Sequence, residues 1–111
     1  MPYDEQLADR IRELLAHEPS LTEKKMFGGI GFMVGGNMAV GASSQGGILV
    51  RVDPEQSDEL VSSTEAYPME MRGRQMAGWL RVDGEHVQTP AELAKWVELG
   101  AAYARSLPAK G

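Results

Sequence analysis

The sequence predicts an α+β fold in which one antiparallel sheet is packed by helices, with elements in the order αβββαββα. Three observations carry this expectation. Apolar residues recur at helical spacing near both ends of the chain, and the middle alternates apolar with small residues at the period of a strand. Pairs of glycines punctuate that middle as hairpin turns would. The length, 111 residues, suits one core, so residues 1–111 are read as a single domain.

In residues 4–16, DEQLADRIRELLA, the side chains of Leu7, Ile11, Leu14 and Leu15 form one apolar stripe of an amphipathic helix. Asp4 and Glu5 complement the positive end of its dipole. Pro19 closes the segment, because a residue preceding proline is pushed out of the helical region.

Residues 24–41, KKMFGGIGFMVGGNMAVG, hold six glycines and three methionines. A phosphate loop would need such glycines between a strand and a helix, where backbone N–H groups converge on the anion. GGIGF matches neither common glycine-rich phosphate pattern, and the residues after it alternate like a strand. The stretch therefore reads as a hairpin. One strand covers residues 26–34 with Ile30, Phe32 and Val34 toward the core, residues 35–37 turn, and Met38, Val40 and Ala42 mark the second strand. SSQGG, residues 43–47, makes another turn before the strand ILVRV, residues 48–52.

DPEQ, residues 53–56, starts a short helix, with Asp53 as cap and Pro54 at the first helical position. AYPMEM and GWLRVDG follow as strands joined by RGRQMA, residues 72–77. TPAE, residues 89–92, is a capping box that opens the last helix, whose stripe is Leu93, Trp96, Val97, Gly100, Ala101 and Ala104. Both tryptophans, Trp79 and Trp96, are expected in the core.

Composition narrows the function. Apolar residues make up 42% and charged residues 24%, which is ordinary for a globular chain. Cysteine is absent, which excludes disulfides, thiolate metal sites and a cysteine nucleophile. No apolar run approaches the roughly 20 residues of a membrane span. The acidic, amphipathic N-terminus is unlike a signal peptide, so a cytoplasmic location is expected. His17 and His86 are too few for the usual three-ligand metal site, and no serine sits in a nucleophile elbow. The expectation is a protein without enzymatic activity, cofactor or metal.

The net charge of −5 disfavours nucleic acid as a partner unless a local basic patch exists. Candidates for such a patch are Lys24, Lys25, Arg72 and Arg74, to which Arg51 and Arg81 could contribute. Met69, Met71 and Met76 flank the arginine loop as adaptable contact residues. Residues 69–76 are accordingly the expected contact surface for a protein partner, with Arg72 and Arg74 as anchors, and Met33 and residues 35–37 as contributors.

KKMFGGIGFMVGGNMAVG, then LVRV, MRGRQMAGWLRV and finally WVELGAAYARSLPAK together resemble the TfoX/Sxy N-terminal-domain family, over roughly residues 21–110 and in the family's order. The resemblance implies a secretion-chaperone-like α+β fold. It also implies a link to bacterial regulators of natural competence, which act on transcription together with the cyclic-AMP receptor protein. Those regulators carry a further C-terminal domain, whereas this chain is expected to be a single-domain member. The function expected is a small regulatory protein-interaction module with a protein partner or, through a sheet edge, a homodimer. The alternatives are direct nucleic-acid binding through the basic residues, and a small enzyme or ligand carrier.

Overall fold

A computed structural model describes residues 4–26, 29–43, 46–71 and 73–108, apart from the side chains of Met26, Met71 and Ala77. Helix α1 (Glu5–Leu14) starts at Asp4, whose carboxylate accepts hydrogen bonds from the backbone N–H groups of Gln6 and Leu7. Four antiparallel strands follow in sequence, β1 (Leu21–Met26), β2 (Gly29–Val34), β3 (Asn37–Ala42) and β4 (Ile48–Arg51). Helix α2 (Pro54–Ser63) then leads to β5 (Tyr67–Met71) and β6 (Arg74–Val82), and a short 3-10 helix (Gly84–His86) precedes α3 (Pro90–Ser106).

The chain places β5 at the sheet edge and returns through β6, which pairs with β4. The strand order is β1-β2-β3-β4-β6-β5, with every neighbour antiparallel. The α+β class and the placing of helices between runs of strands follow the sequence reading. The structure adds a strand, β1, and Met26 closes it while β2 begins at Gly29. The physical reason is visible in LTEKKM: Leu21 is half-buried and the next four residues are exposed, so an edge strand leaves no apolar periodicity to read.

Between β2 and β3, Gly35 and Gly36 both take positive φ, 62° and 83°, the conformation a two-residue hairpin turn requires. Within this hairpin Phe32 pairs with Val40 but Met33 pairs with Met38, so Ala39 is an extra residue and the ladder bulges. Asn37 is buried, and its Nδ2 donates to the Pro108 carbonyl at 2.9 Å, tying the end of α3 to the hairpin. That contact makes Asn37 structural rather than a surface contributor.

One face of the sheet supplies Ile30, Phe32, Val34, Val40, Ala42, Ile48, Val50, Leu80 and Val82 to the core. Leu7, Ile11 and Leu15 from the α1 segment and Leu93, Trp96, Val97, Ala101 and Ala104 from α3 pack against them, with Leu60 and Val61 of α2 half-buried at the margin. Helices α1 and α3 thus cover this face, and α2 packs at its margin. Each is capped as its sequence suggests. Asp53 accepts from the Glu55 N–H at 2.9 Å, and Thr89 accepts from the Glu92 N–H at 3.2 Å while donating to the Glu92 carboxylate at 2.8 Å. Trp96 is a core residue, but Trp79 is not: it is half-buried on the other face.

Candidate interaction face

Strand register and side-chain alternation define that other face, which α3 reaches through Tyr103 beside Arg51 at the end of β4. A continuous cross-strand row runs across all six strands: Lys24, Gly31, Gly41, Leu49, Arg81 and Tyr67. Beside it lie two further pairs, Met33 with Met38 and Arg51 with Trp79. Met38 and Leu49 are buried although they belong to no part of the helix-covered core. A Cβ at Gly41 would lie 2.8 Å from the Ile30 carbonyl oxygen and 3.0 Å from Met38 Cε, so Met38 lies across the bare glycine backbone. The centre of the face is therefore closely packed, with Met38 on the glycine backbone and Met33 half-buried beside it.

Polar groups rim it. The Tyr67 hydroxyl donates to Asp83 Oδ1 at 2.8 Å, and Arg81 Nη2 donates to Ser43 Oγ at 3.0 Å. Partial burial and the bond to Asp83 push the Tyr67 phenol above its ordinary value of 10. At the end of β4 the Arg51 guanidinium carbon lies 5.2 Å from the Trp79 ring centroid and 5.7 Å from that of Tyr103 on α3. Both distances are within cation–π range.

The sheet edges are poorer docking surfaces. Edge strand β1 exposes Glu23, Lys24 and Lys25, and edge strand β5 carries Pro68 next to a register irregularity. Charges, proline and bulges all oppose the addition of another strand.

Of the residues singled out in the sequence, Met69, Arg74 and Met76 lie together on the β5–β6 hairpin, and the two lysines lie on the strand at the opposite edge. Lys24 is on the open face, whereas Lys25 pairs with Ile30 and so projects toward the helix side. Arg74 opens β6 opposite Met71, Met76 is 37% exposed and Met69 is half-buried. Arg72 and the Met71 side chain lie outside the described residues. Four inter-strand steps separate β1 from β6, about 19 Å, so the lysines and Arg74 do not make one compact patch. The grouping that sequence reasoning missed is Arg51 with Trp79 and Tyr103. Arg51 is recognisable as a cation and Trp79 as an aromatic, but their union depends on a β4–β6 pairing that crosses an intervening helix and strand.

Elsewhere, a pocket of about 390 Å3 lies between the start of α1 and the 3-10 helix, with Asp4, Leu7, Arg10, Gly84, Glu85 and Gln88 in its wall. Its best polar groups are already committed: Asp4 caps α1 and Arg10 Nη2 donates to the Gln88 carbonyl at 3.0 Å. Among the described residues no group of three or more His, Asp or Glu is placed to hold a metal ion, and no helix is long and apolar enough to cross a membrane.

Residues 13–104 match the model of the TfoX N-terminal domain. The chain belongs to the TfoX N-terminal domain family. The match runs from the last turn of α1 to the last turn of α3, so this TfoX N-terminal domain includes the whole sheet and its open face. No protein of curated function matches the chain.

Proposed function

We propose that this TfoX N-terminal domain is a non-enzymatic regulatory module of the bacterial cytoplasm that works by docking another protein on the open face of its sheet. One observation carries the reading. The helices pack on one face, and the other groups half-buried Met33 and Trp79 and exposed Tyr67 with Lys24, Arg51 and Arg81, in a chain whose net charge is −5. Apolar surface rimmed by polar groups suits a protein contact. The cations select a partner whose contacting surface is acidic. Two copies placed face to face would oppose like charges, and a nucleic acid would meet the repulsion of an acidic protein. Family membership supports the regulatory setting, and a link to transcription and competence is proposed on that ground alone.

The test is site-specific photo-crosslinking in cells of the source organism, with lysates treated with nuclease. A photoreactive residue at Met33 should give a discrete protein adduct. The same residue at exposed Ala102 on α3 should not. Adducts from Ala102 alone, or adducts that vanish with nuclease, would overturn the reading.

A further inference from the structure

We propose that Arg51 is a preorganised carboxylate receptor on the open face, and that it receives an Asp or Glu side chain from an acidic segment of the partner protein. This rests on the protein-docking reading and names the chemistry of the contact.

The setting of Arg51 differs from that of the other well-packed arginines. Arg12 is forked onto Glu23, and Arg105 bridges Glu18 and Glu98. Arg51 instead lies within cation–π distance of the Trp79 and Tyr103 rings, and among the described residues no carboxylate or other hydrogen-bond acceptor engages its guanidinium. The chain has sixteen Asp and Glu against eleven Lys and Arg, so a half-buried arginine without an acid is not explained by a shortage of acids. The nearest acid in sequence, Asp53, is occupied in capping α2 through the Glu55 N–H. Among the described residues no buried polar side-chain atom lacks a partner, so the unpaired N–H groups of Arg51 open to solvent. They are available.

Aromatic neighbours do two things for a guanidinium. They hold its plane, so less side-chain freedom is lost when a ligand binds. They also leave its edge, where the paired N–H groups point, free for the two oxygens of a carboxylate. An ammonium group in the same place would keep the charge and lose the fork.

The surroundings favour an acid on a protein over the phosphates of a nucleic acid. Arg51 shares its face with half-buried Met33 and Trp79 and with exposed Tyr67, which suit apolar neighbours on the ligand. Lys24 is three inter-strand steps away from β4, about 14 Å, so the face offers separated cations and no continuous phosphate track. One acid beside apolar side chains fits this spacing.

The experiment is selection of a displayed library of random linear peptides against the whole chain, followed by affinity measurement with wild type, Arg51→Lys, Arg51→Ala and Met33→Glu. Enriched peptides should share an Asp or Glu next to apolar residues. Arg51→Lys and Arg51→Ala should each weaken binding about tenfold or more, with thermal unfolding nearly unchanged in Arg51→Lys, which keeps the cation beside the two rings. Changing the peptide acid to its amide should cost as much against wild type and almost nothing against Arg51→Ala, the signature of a direct pair. Peptides that lose binding with Met33→Glu but not with Arg51→Lys would overturn this inference and leave the docking face standing. Absence of any enrichment would overturn both. Tighter, steeply salt-dependent binding of a random-sequence oligonucleotide, lost in Arg51→Lys, would overturn the assignment to an acidic protein segment.

Discussion

Gly100 of α3 and Ala39 of β3 meet backbone to backbone: a Cβ at position 100 would stand 2.3 Å from the Ala39 carbonyl oxygen and 3.3 Å from Val50 Cγ1. Helix propensity and packing therefore pull in opposite directions at this site. Replacing a helical glycine by alanine gains about 1 kcal/mol of propensity. Overlap with a carbonyl cannot be relieved by a rotamer change, and forcing a methyl into a tight contact costs about 1–3 kcal/mol or more. Gly100→Ala is expected to lower Tm by several degrees, using roughly 4–8 °C per kcal/mol for a domain of this size. Ala102→Gly, at an exposed position of the same helix, should also lower it, through propensity alone. A higher Tm for Gly100→Ala would show that α3 does not sit this close to the sheet.

Arg12 holds Glu23 through two parallel hydrogen bonds, Nε to Oε2 and Nη2 to Oε1, each 2.7 Å, and so joins α1 to edge strand β1. The hydrogen bond and charge of Arg12 depress the Glu23 carboxyl below its ordinary value of 4.5, against the opposing effect of partial burial. The unfolded chain then takes up this proton at a higher pH than the folded one. The pair's contribution is complete above about pH 4.5 and is lost as pH falls through the depressed folded value. Both side chains are partly exposed, so the contribution is about 1 kcal/mol or less. Denaturant midpoints at about pH 6 and about pH 3 should separate wild type from Glu23→Gln at the higher pH and bring them together at the lower. A constant gap would count against the pair.

A second tie is more buried. The Glu18 side chain is only 5% exposed and accepts from Arg105 of α3, with His17 Nε2 3.1 Å away. Arg105→Ala would leave a buried carboxylate dependent on His17, and a loss of about 1–3 kcal/mol is expected. Adding Glu18→Gln should restore part of that loss, because an amide is less costly to leave without a cationic partner. Chemical denaturation of the two single variants and the double closes the cycle. Strict additivity would mean that the two residues do not act as a pair.

Elements with a mechanism written locally were legible. The Thr89 and Asp53 caps, the Gly35–Gly36 turn and the stripe from Leu93 to Ala104 all rest on neighbours within a few residues, and all are present in the structure. Strand β1 was not legible, because an exposed edge strand needs no apolar alternation and LTEKKM has none. Trp79 misled for a related reason. Its strand neighbours Leu80 and Val82 are core residues, and alternation by itself cannot say which face the helices pack on. The candidate site was hardest of all. Lys24 and Arg81 belong to one cross-strand row, and Arg51 meets Tyr103, only through pairings and packing that join distant parts of the chain.

The two tryptophans report on the two faces separately, which makes the open face testable in solution. Trp96 is 4% exposed in the helix-covered core, whereas Trp79 is half-buried beside Arg51 on the opposite face. Acrylamide should therefore quench a fraction of the emission that belongs to Trp79. Trp79→Phe should leave a blue-shifted emission from Trp96 that is nearly insensitive to the quencher, and the substitution should cost little stability because Trp79 lies outside the core. If a second copy of the chain covered the face, wild-type quenching would rise on dilution, as dissociation uncovered Trp79. Quenching that is the same at all protein concentrations and confined to Trp79 is the expected result, and it leaves the face free for a different protein.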